Sequence, residues 1–229
     1  MKLLPILLLA SSSSLLGLNQ VQAQGTSIAG TVGSQGLGVS LTSGSEFTLI
    51  ENDQIQWRLS LSGYGIDEAE DVKVDKNEYE ADIKTGSFQA SFNWYPISQD
   101  SMKGLFLSAG AIYFDHTLEG TTEDDQTIHI GDIALTSKQG VQLKTDIEHT
   151  SMAPYFGVGW GNRLNGVEGF SFRAEVGAFV ALSSAQVDVE LINHNGEVSD
   201  VELEKERQDI LDEQEWVKLF AQLDIGYQF

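Results

Sequence analysis

The sequence predicts an all-β protein: an eight-stranded antiparallel up-and-down transmembrane β-barrel with short periplasmic turns, long acidic extracellular loops and a short helix in the last loop. Three observations lead to this prediction. Apolar and polar residues alternate at period two through much of the chain, as in strands whose two faces meet different solvents. The connections between these segments alternate between short and long. No segment after residue 23 is apolar enough to form a transmembrane helix.

The first 23 residues predict a secretory signal. Lys2 precedes a short apolar run that ends at Leu9, serines interrupt the segment, and Val21-Gln22-Ala23 resembles a signal cleavage site. So short and interrupted an apolar stretch is a poor membrane anchor, because a spanning helix needs ~20 unbroken apolar residues. We therefore expect a signal peptide over 1–23, cleaved near Ala23, and a single barrel domain over 24–229.

The composition excludes several classes of protein. The chain has 13 basic and 34 acidic residues and a formal net charge of −21. Such a surface repels nucleic acid and attracts cations or basic ligands. The absence of cysteine excludes disulfides, thiol catalysis and thiolate metal sites. We expect no cofactor and no nucleic-acid partner.

Eight segments are predicted to form strands. The first is short and rich in glycine, with Ile28 and Val32 outward, and Ser34-Gln35-Gly36 turns it into the second. Segment 104–118 is mostly apolar on both faces, so the sequence does not show which of its faces points inward. The last segment has an unbroken apolar stripe and would close the barrel against the first. The predicted strands cover 26–33, 37–49, 55–62, 87–95, 104–118, 152–161, 170–182 and 217–229.

The lengths of the connections predict the orientation. Outer-membrane barrels have an even number of strands, short turns on the periplasmic side and long loops outside. That layout puts both termini on the periplasmic side. Short connections are predicted at 51–54, 96–102 and 162–167, and long acidic ones at 66–77, 120–140 and 192–215.

A soluble β-sandwich would also alternate, but its solvent-facing side would carry many charges. Here the polar face of the strand centres is mainly Gly, Ser, Ala, Asn and Gln, which suits a narrow enclosed lumen. Aromatic residues also cluster where strands meet short turns, as in the girdle at a membrane interface. The predicted girdle is Trp57, Trp94, Tyr95, Tyr155, Trp160, Phe170, Tyr227 and Phe229.

The helix is predicted over about 200–213. Ser199 and Glu202 form a capping-box pattern, and Glu204 and Arg207 stand at i, i+3. Because the segment has no continuous apolar face, a disordered charged loop is the alternative.

Six ionisable residues face the lumen by strand parity. An eight-stranded lumen is just wide enough for side chains to fill it or for one small ligand. Three acids and three bases there predict internal salt bridges, since unpaired buried charges are costly. The alternative is a polar track for a small cation or zwitterion. The six residues are Glu46, Arg58, Arg173, Glu175, Lys218 and Asp224.

The long loops are acidic and suggest a negatively charged vestibule. It would concentrate cationic solutes, an effect that salt weakens. The alternative is simple solvation, with divalent cations linking the acids to lipopolysaccharide phosphates. The vestibule residues are Asp67, Glu68, Glu70, Asp71, Glu123, Asp124 and Asp125.

An enzymatic site has weak support. The glycine run GVGWG at 157–161 lacks the Lys-Ser/Thr of a phosphate-binding loop. His116 and His149 could approach each other, with Asp115 or Glu148 as an orienting carboxylate. No local signature accompanies them, and no calcium-loop spacing is present, so we predict neither an enzyme nor a metal site.

Several stretches resemble the CarO-like outer-membrane proteins of Gram-negative bacteria. They include GLFLSAGAIYFD, MAPYFGVGWGN and FSFRAEVGAFV, together with the helical loop that leads to EW before the last strand. The resemblance covers about 26–229. It implies a monomeric eight-stranded barrel without a wide pore. For some members, uptake of basic amino acids such as ornithine and an influence on carbapenem susceptibility have been proposed.

Three functions follow as hypotheses. The first is a narrow or gated channel for small cationic or zwitterionic solutes. The second is a non-transporting barrel for envelope integrity or adhesion, whose partners are outer-membrane lipids and lipopolysaccharide. The third is a lipid-modifying enzyme. In each, the location is the cell outer membrane.

The final residues predict an assembly signal. Tyr227 and the terminal Phe229 resemble the C-terminal signature that the barrel assembly machinery recognises. Phe229→Ala, or deletion of Phe229, should lower the amount of inserted protein more than the function of molecules already inserted. Folded protein in outer-membrane fractions measures this, and normal insertion of the truncated chain would contradict it.

Overall fold

A computed structural model describes residues 25–45, 47, 49–50, 53–97, 102–122, 127–136, 141–192 and 198–229. The predicted signal peptide lies outside the described residues and stays a prediction. No helix within these ranges is long and apolar enough to cross a membrane.

The chain forms strands with one helix near its C-terminal end. The strands are β1 (Thr26–Gly33), β2 (Gly36–Ser45), β3 (Gln54–Val74), β4 (Asn77–Tyr95), β5 (Leu105–Thr122), β6 (Thr127–Ile130), β7 (Ile133–Thr136), β8 (Gln142–Gly161), β9 (Gly169–Val180), β10 (Gln186–Ile192) and β11 (Val217–Gln228), and the helix is α1 (Asp200–Asp212).

Eight antiparallel strands close into a ring in the order β1-β2-β3-β4-β5-β8-β9-β11. The last strand returns to the first along a continuous ladder from Ser27↔Gln228 to Gly33↔Gln222. Closure pairs the backbone groups that an open sheet edge would leave bare in lipid. The predicted eight-stranded barrel is therefore confirmed.

The outer surface of the ring is apolar. Leu219 is 80% exposed, Leu37 68% and Phe156 64%, although all three are large hydrophobic residues. A belt of this kind is expected where lipid replaces water as the solvent. The structure also resolves the strand whose faces were ambiguous: Phe106 and Phe114 of β5 face inward and are fully buried.

The ring is much taller on one side. Strands β3, β4, β5 and β8 have 18 to 21 residues, whereas β1 has 8. We call the end of the barrel with the long connections the upper end, and the parts of β3, β4, β5 and β8 that rise above the short strands the upper wall. The predicted loop 66–77 is in fact the top of β3 and β4, with a tight turn at Asp75–Lys76.

The loop prediction for 66–77 failed because the alternation breaks there. Register shifts lie between Ile66 and Ala69 and between Ala69 and Val72. Each shift moves the following residues to the other face, so the acidic run between them has no period-two pattern.

The upper wall carries a cluster of buried apolar residues. Tyr79, Ile128 and Leu143 are fully buried in it. The small β6–β7 hairpin supplies Ile128, so the predicted loop 120–140 contains structure of its own.

The predicted helix is confirmed as α1, but its anchoring differs from the sequence pattern. Ser199 makes no side-chain cap bond. Instead the buried Glu206 carboxylate accepts hydrogen bonds from Asn77 Nδ2 at 3.1 Å and from the Gly131 backbone N–H at 2.9 Å. Burial raises the pKa of Glu206. This carboxylate joins α1, the β3–β4 turn and the β6–β7 hairpin into one layer at the upper end of the barrel.

The close contact between β2 and β3 requires glycine at position 38. A Cβ placed on Gly38 would lie 1.9 Å from the Leu61 carbonyl oxygen, whereas a Cβ on Gly86 would meet nothing within 4 Å. Gly38→Ala should therefore lower the free energy of unfolding by about 1–3 kcal/mol, the usual cost of overpacking. Urea unfolding measures it. The matched control Gly86→Ala should leave the midpoint near wild type, and equal effects of the two substitutions would contradict this account.

Candidate functional site

The lower end of the lumen is closed by the connection between β8 and β9. Leu164 points into the ring and is 2% exposed. Its carbonyl oxygen accepts a hydrogen bond from Gln54 Nε2 at 2.6 Å, and the neighbouring Arg163 donates to the Tyr95 carbonyl oxygen at 2.6 Å. Gln228 Nε2 donates to the Val167 carbonyl oxygen at 2.7 Å. Contacts to β3, β4 and β11 thus hold this plug in place.

Above the plug lies a layer of four buried charges, which we call the charge cluster: Arg58, Arg173, Glu175 and Asp224. Their exposed fractions are 1, 5, 3 and 3%. Arg58 contacts Glu175 at 2.6 Å and Asp224 at 3.5 Å, and Arg173 contacts Asp224 at 3.3 Å. Two guanidinium groups and two carboxylates therefore balance in charge.

Neutral groups add hydrogen bonds to the charge cluster. The Tyr155 hydroxyl donates to the Glu175 carboxylate. Gln222 Nε2 donates to Asp224 Oδ1 at 2.7 Å, and Arg173 Nη1 donates to Thr42 Oγ1 at 3.1 Å. Buried charges are tolerated when pairing and hydrogen bonds replace lost hydration. These contacts therefore lower the free-energy cost of burying the four charges.

An aromatic layer covers the charge cluster from above. Phe114 and Phe179 have ring centroids 5.2 Å apart, and Tyr155 and Phe220 have centroids 4.9 Å apart. All four side chains are at least nine-tenths buried. The described residues therefore block the lumen at three successive levels: the plug, the charge cluster and the aromatic layer.

A partly enclosed cavity of about 430 Å³ lies above the aromatic layer, between the upper wall and α1. His116 and His149, direct cross-strand partners on β5 and β8, line it together with Lys218. His149 Nε2 lies 2.8 Å from the Ser183 carbonyl oxygen, and its Nδ1 lies 3.0 Å from Gln214 Nε2. A carbonyl only accepts and an amide nitrogen only donates, so His149 is neutral, with its proton on Nε2.

The six residues expected in the lumen do not form one group. The structure places four of them in the charge cluster, whereas Lys218 lies higher and lines the cavity. Glu46 lies outside the described residues.

Three residues of the expected vestibule are described, and they do not line the cavity. Asp67, Glu68 and Glu70 are exposed on β3 and do not line the cavity. The side chain of Asp71, and Glu123, Asp124 and Asp125, lie outside the described residues. A vestibule that concentrates cations stays a prediction.

Two residues of the expected aromatic girdle face the interior instead. Tyr95 is fully buried and Tyr155 is 1% exposed. Tyr155 stands between the outward Pro154 and Phe156 in the alternation, and this parity was the signal that it belongs inside. Sequence reasoning missed its role as a hydrogen-bond partner of Glu175.

The enzymatic arrangement considered for His116 and His149 lacks the expected orienting carboxylate. Asp115 and Glu148 lie on the outer face of β5 and β8, opposite to His116 and His149, and Asp115 accepts a hydrogen bond from Thr150 at 2.6 Å. Within the described ranges, no three His, Asp or Glu side chains are grouped to hold a metal ion.

In fold, the chain is similar to two solved structures from Acinetobacter baumannii, CarO and CarO2. The TM-score to CarO is 0.61 at 18% sequence identity, and to CarO2 it is 0.63 at 17%. Each comparison covers 92% of this chain and 100% of the other. No protein-family model matches the sequence, and no curated protein matches it. The predicted CarO-like fold is confirmed.

Removing one charge from the charge cluster should strongly lower the free energy of unfolding. Glu175→Ala leaves Arg58 buried with a more distant partner, and breaking a buried pair costs about 3–5 kcal/mol of unfolding free energy. The control Glu78→Ala removes the same charge from the exposed pair with Lys73, at 2.9 Å, where the cost is roughly 0–1 kcal/mol. Urea midpoints of the two folded variants measure the difference. Similar midpoints would show that the charge cluster does not stabilise the barrel.

Proposed function

We propose that this protein is an outer-membrane β-barrel whose lumen is closed to solutes and which acts at the cell surface through its tall extracellular part. The observation that supports this most strongly is the charge cluster, buried and paired across the lumen between the plug and the aromatic layer. In this proposal the signal peptide over 1–23 is removed and the mature chain is a monomer among lipids and lipopolysaccharide. The barrel assembly machinery inserts it through Tyr227 and Phe229.

Opening a path would be energetically costly. A solute would have to separate Arg58 from Glu175, which leaves unpaired charges in a narrow lumen with little water. It would also have to displace Phe179 and Phe220 above and Leu164 below. These changes affect three independent layers, so no single side-chain rotation opens the barrel.

A gated channel for small cationic or zwitterionic solutes, such as basic amino acids, is the second candidate. One observation favours it: the centre of the lumen carries charged and amide groups, including Gln56 and Gln222, where a purely structural core could be apolar. In this candidate a trigger would rearrange the charge cluster, and the acidic extracellular residues would collect the solute.

Conductance and flux separate the two candidates. Purified, folded protein in planar bilayers should give no conductance above a protein-free bilayer, and liposomes that contain it should not admit ornithine. A general porin is the positive control. Neutralising the two acids, Glu175→Gln with Asp224→Asn, should leave a closed barrel closed, because the plug and the aromatic layer remain. Ornithine flux through the wild-type protein would overturn the closed-barrel proposal and support the channel.

A further inference from the structure

The cavity above the aromatic layer has properties of a binding site that the closed-barrel proposal does not require. Its volume, about 430 Å³, lies within the range of small-molecule sites. It is bounded on one side by the upper wall and on the other by α1, and His116 and His149 in its lining contact Phe114 of the aromatic layer. Such concave sites, mostly apolar with a few polar groups, are the usual shape of ligand pockets.

Lys218 is the only basic residue of β11 and points into this cavity. Among the described residues, no carboxylate lies within 4 Å of its ammonium group. The two histidines beside it cannot compensate its charge, because an imidazole is either neutral or cationic. His149 is neutral, and His116 Nε2 lies 3.4 Å from Gln35 Oε1. An ammonium group without a partner in a half-enclosed site is a place for an anion.

The opposite side of the cavity is apolar. Ile83, Leu118 and Ile147 line it from the upper wall, and Val187 and Ile210 line it from β10 and α1. Val187 and Ile210 are buried and pack in the same apolar cluster. This surface would cover a hydrocarbon or aromatic group several carbons long.

Three acidic residues also line the cavity. Glu213 and Glu215 are exposed, whereas the Asp75 side chain is 6% exposed and its carboxylate lies 3.5 Å from the Lys76 ammonium group. The exposed charges of Glu213 and Glu215 are screened by salt, and the Asp75 carboxylate is paired with Lys76. The ammonium of Lys218 is half-buried and screened less, so it can attract an anion although the protein as a whole is acidic.

We propose that this cavity binds a small amphiphilic monocarboxylate, with its carboxylate on Lys218 and its apolar body against Ile83, Leu118, Ile147, Val187 and Ile210. The site lies at the upper end of the barrel, and none of the four residues of the charge cluster lines it. It is therefore independent of whether the barrel conducts.

The test uses 3-phenylpropionate and 3-phenylpropylamine, which share an apolar body and differ in the sign of the charge. Full-length protein in phosphatidylcholine nanodiscs is titrated with each compound by ligand-observed NMR, with empty nanodiscs as the blank. The carboxylate should bind at least about tenfold more tightly than the amine, in line with one charge-assisted hydrogen bond. Equal or tighter binding of the amine would overturn the proposal.

Two lysine variants locate the site. Lys218→Met should weaken binding of 3-phenylpropionate about tenfold. Lys144→Met removes the same charge from the outer face of β8, where Lys144 pairs with Asp146 at 2.9 Å, and should leave binding unchanged. Heat-modifiable migration on gels confirms that both variants are folded. Unchanged affinity in folded Lys218→Met would contradict the site, and conductance measured on the same samples reports separately on the closed lumen.

Discussion

The buried charge balance between Arg58, Arg173, Glu175 and Asp224 is the interaction on which the interior depends. A ring of eight strands satisfies every backbone group in lipid, but it leaves a lumen that side chains must fill. This chain fills the middle with two guanidinium groups and two carboxylates that contact one another. Each charge is tolerated only because the others are present, so a change at one position alters the stability of all four.

The unequal height of the barrel determines where a ligand can be held. Strands β1, β2, β9 and β11 are short, whereas β3, β4, β5 and β8 extend beyond them at the upper end of the barrel. The β6–β7 hairpin and α1 then cover the upper wall, joined through Glu206. A half-open cavity results, lined by His116 and His149, whose ring centroids lie 5.0 Å from that of Phe114 in the aromatic layer. The aromatic layer thus lies between the proposed binding site and the charge cluster.

Period-two alternation made the fold predictable, because lipid and lumen impose opposite polarity on neighbouring residues. It could not predict which charges meet: the contact of Arg58 with Glu175 depends on the stagger between strands that are not adjacent in sequence. The upper wall was missed because register shifts between Ile66 and Val72 interrupt the pattern. Glu206 was missed because an acidic residue on a charged helix gives no sign that it is buried.

Accessibility of the lumen to a thiol reagent tests the closed barrel most directly, because the native chain has no cysteine. Ser91→Cys places a thiol beside Arg58 in the charge cluster, and Glu213→Cys places one at the exposed lining of the cavity. With a membrane-impermeant thiol reagent added from outside to whole cells, Cys at position 213 should react and Cys at position 91 should react only after denaturation. Labelling of both positions at similar rates in the folded protein would show a continuous aqueous path and would contradict the closed lumen.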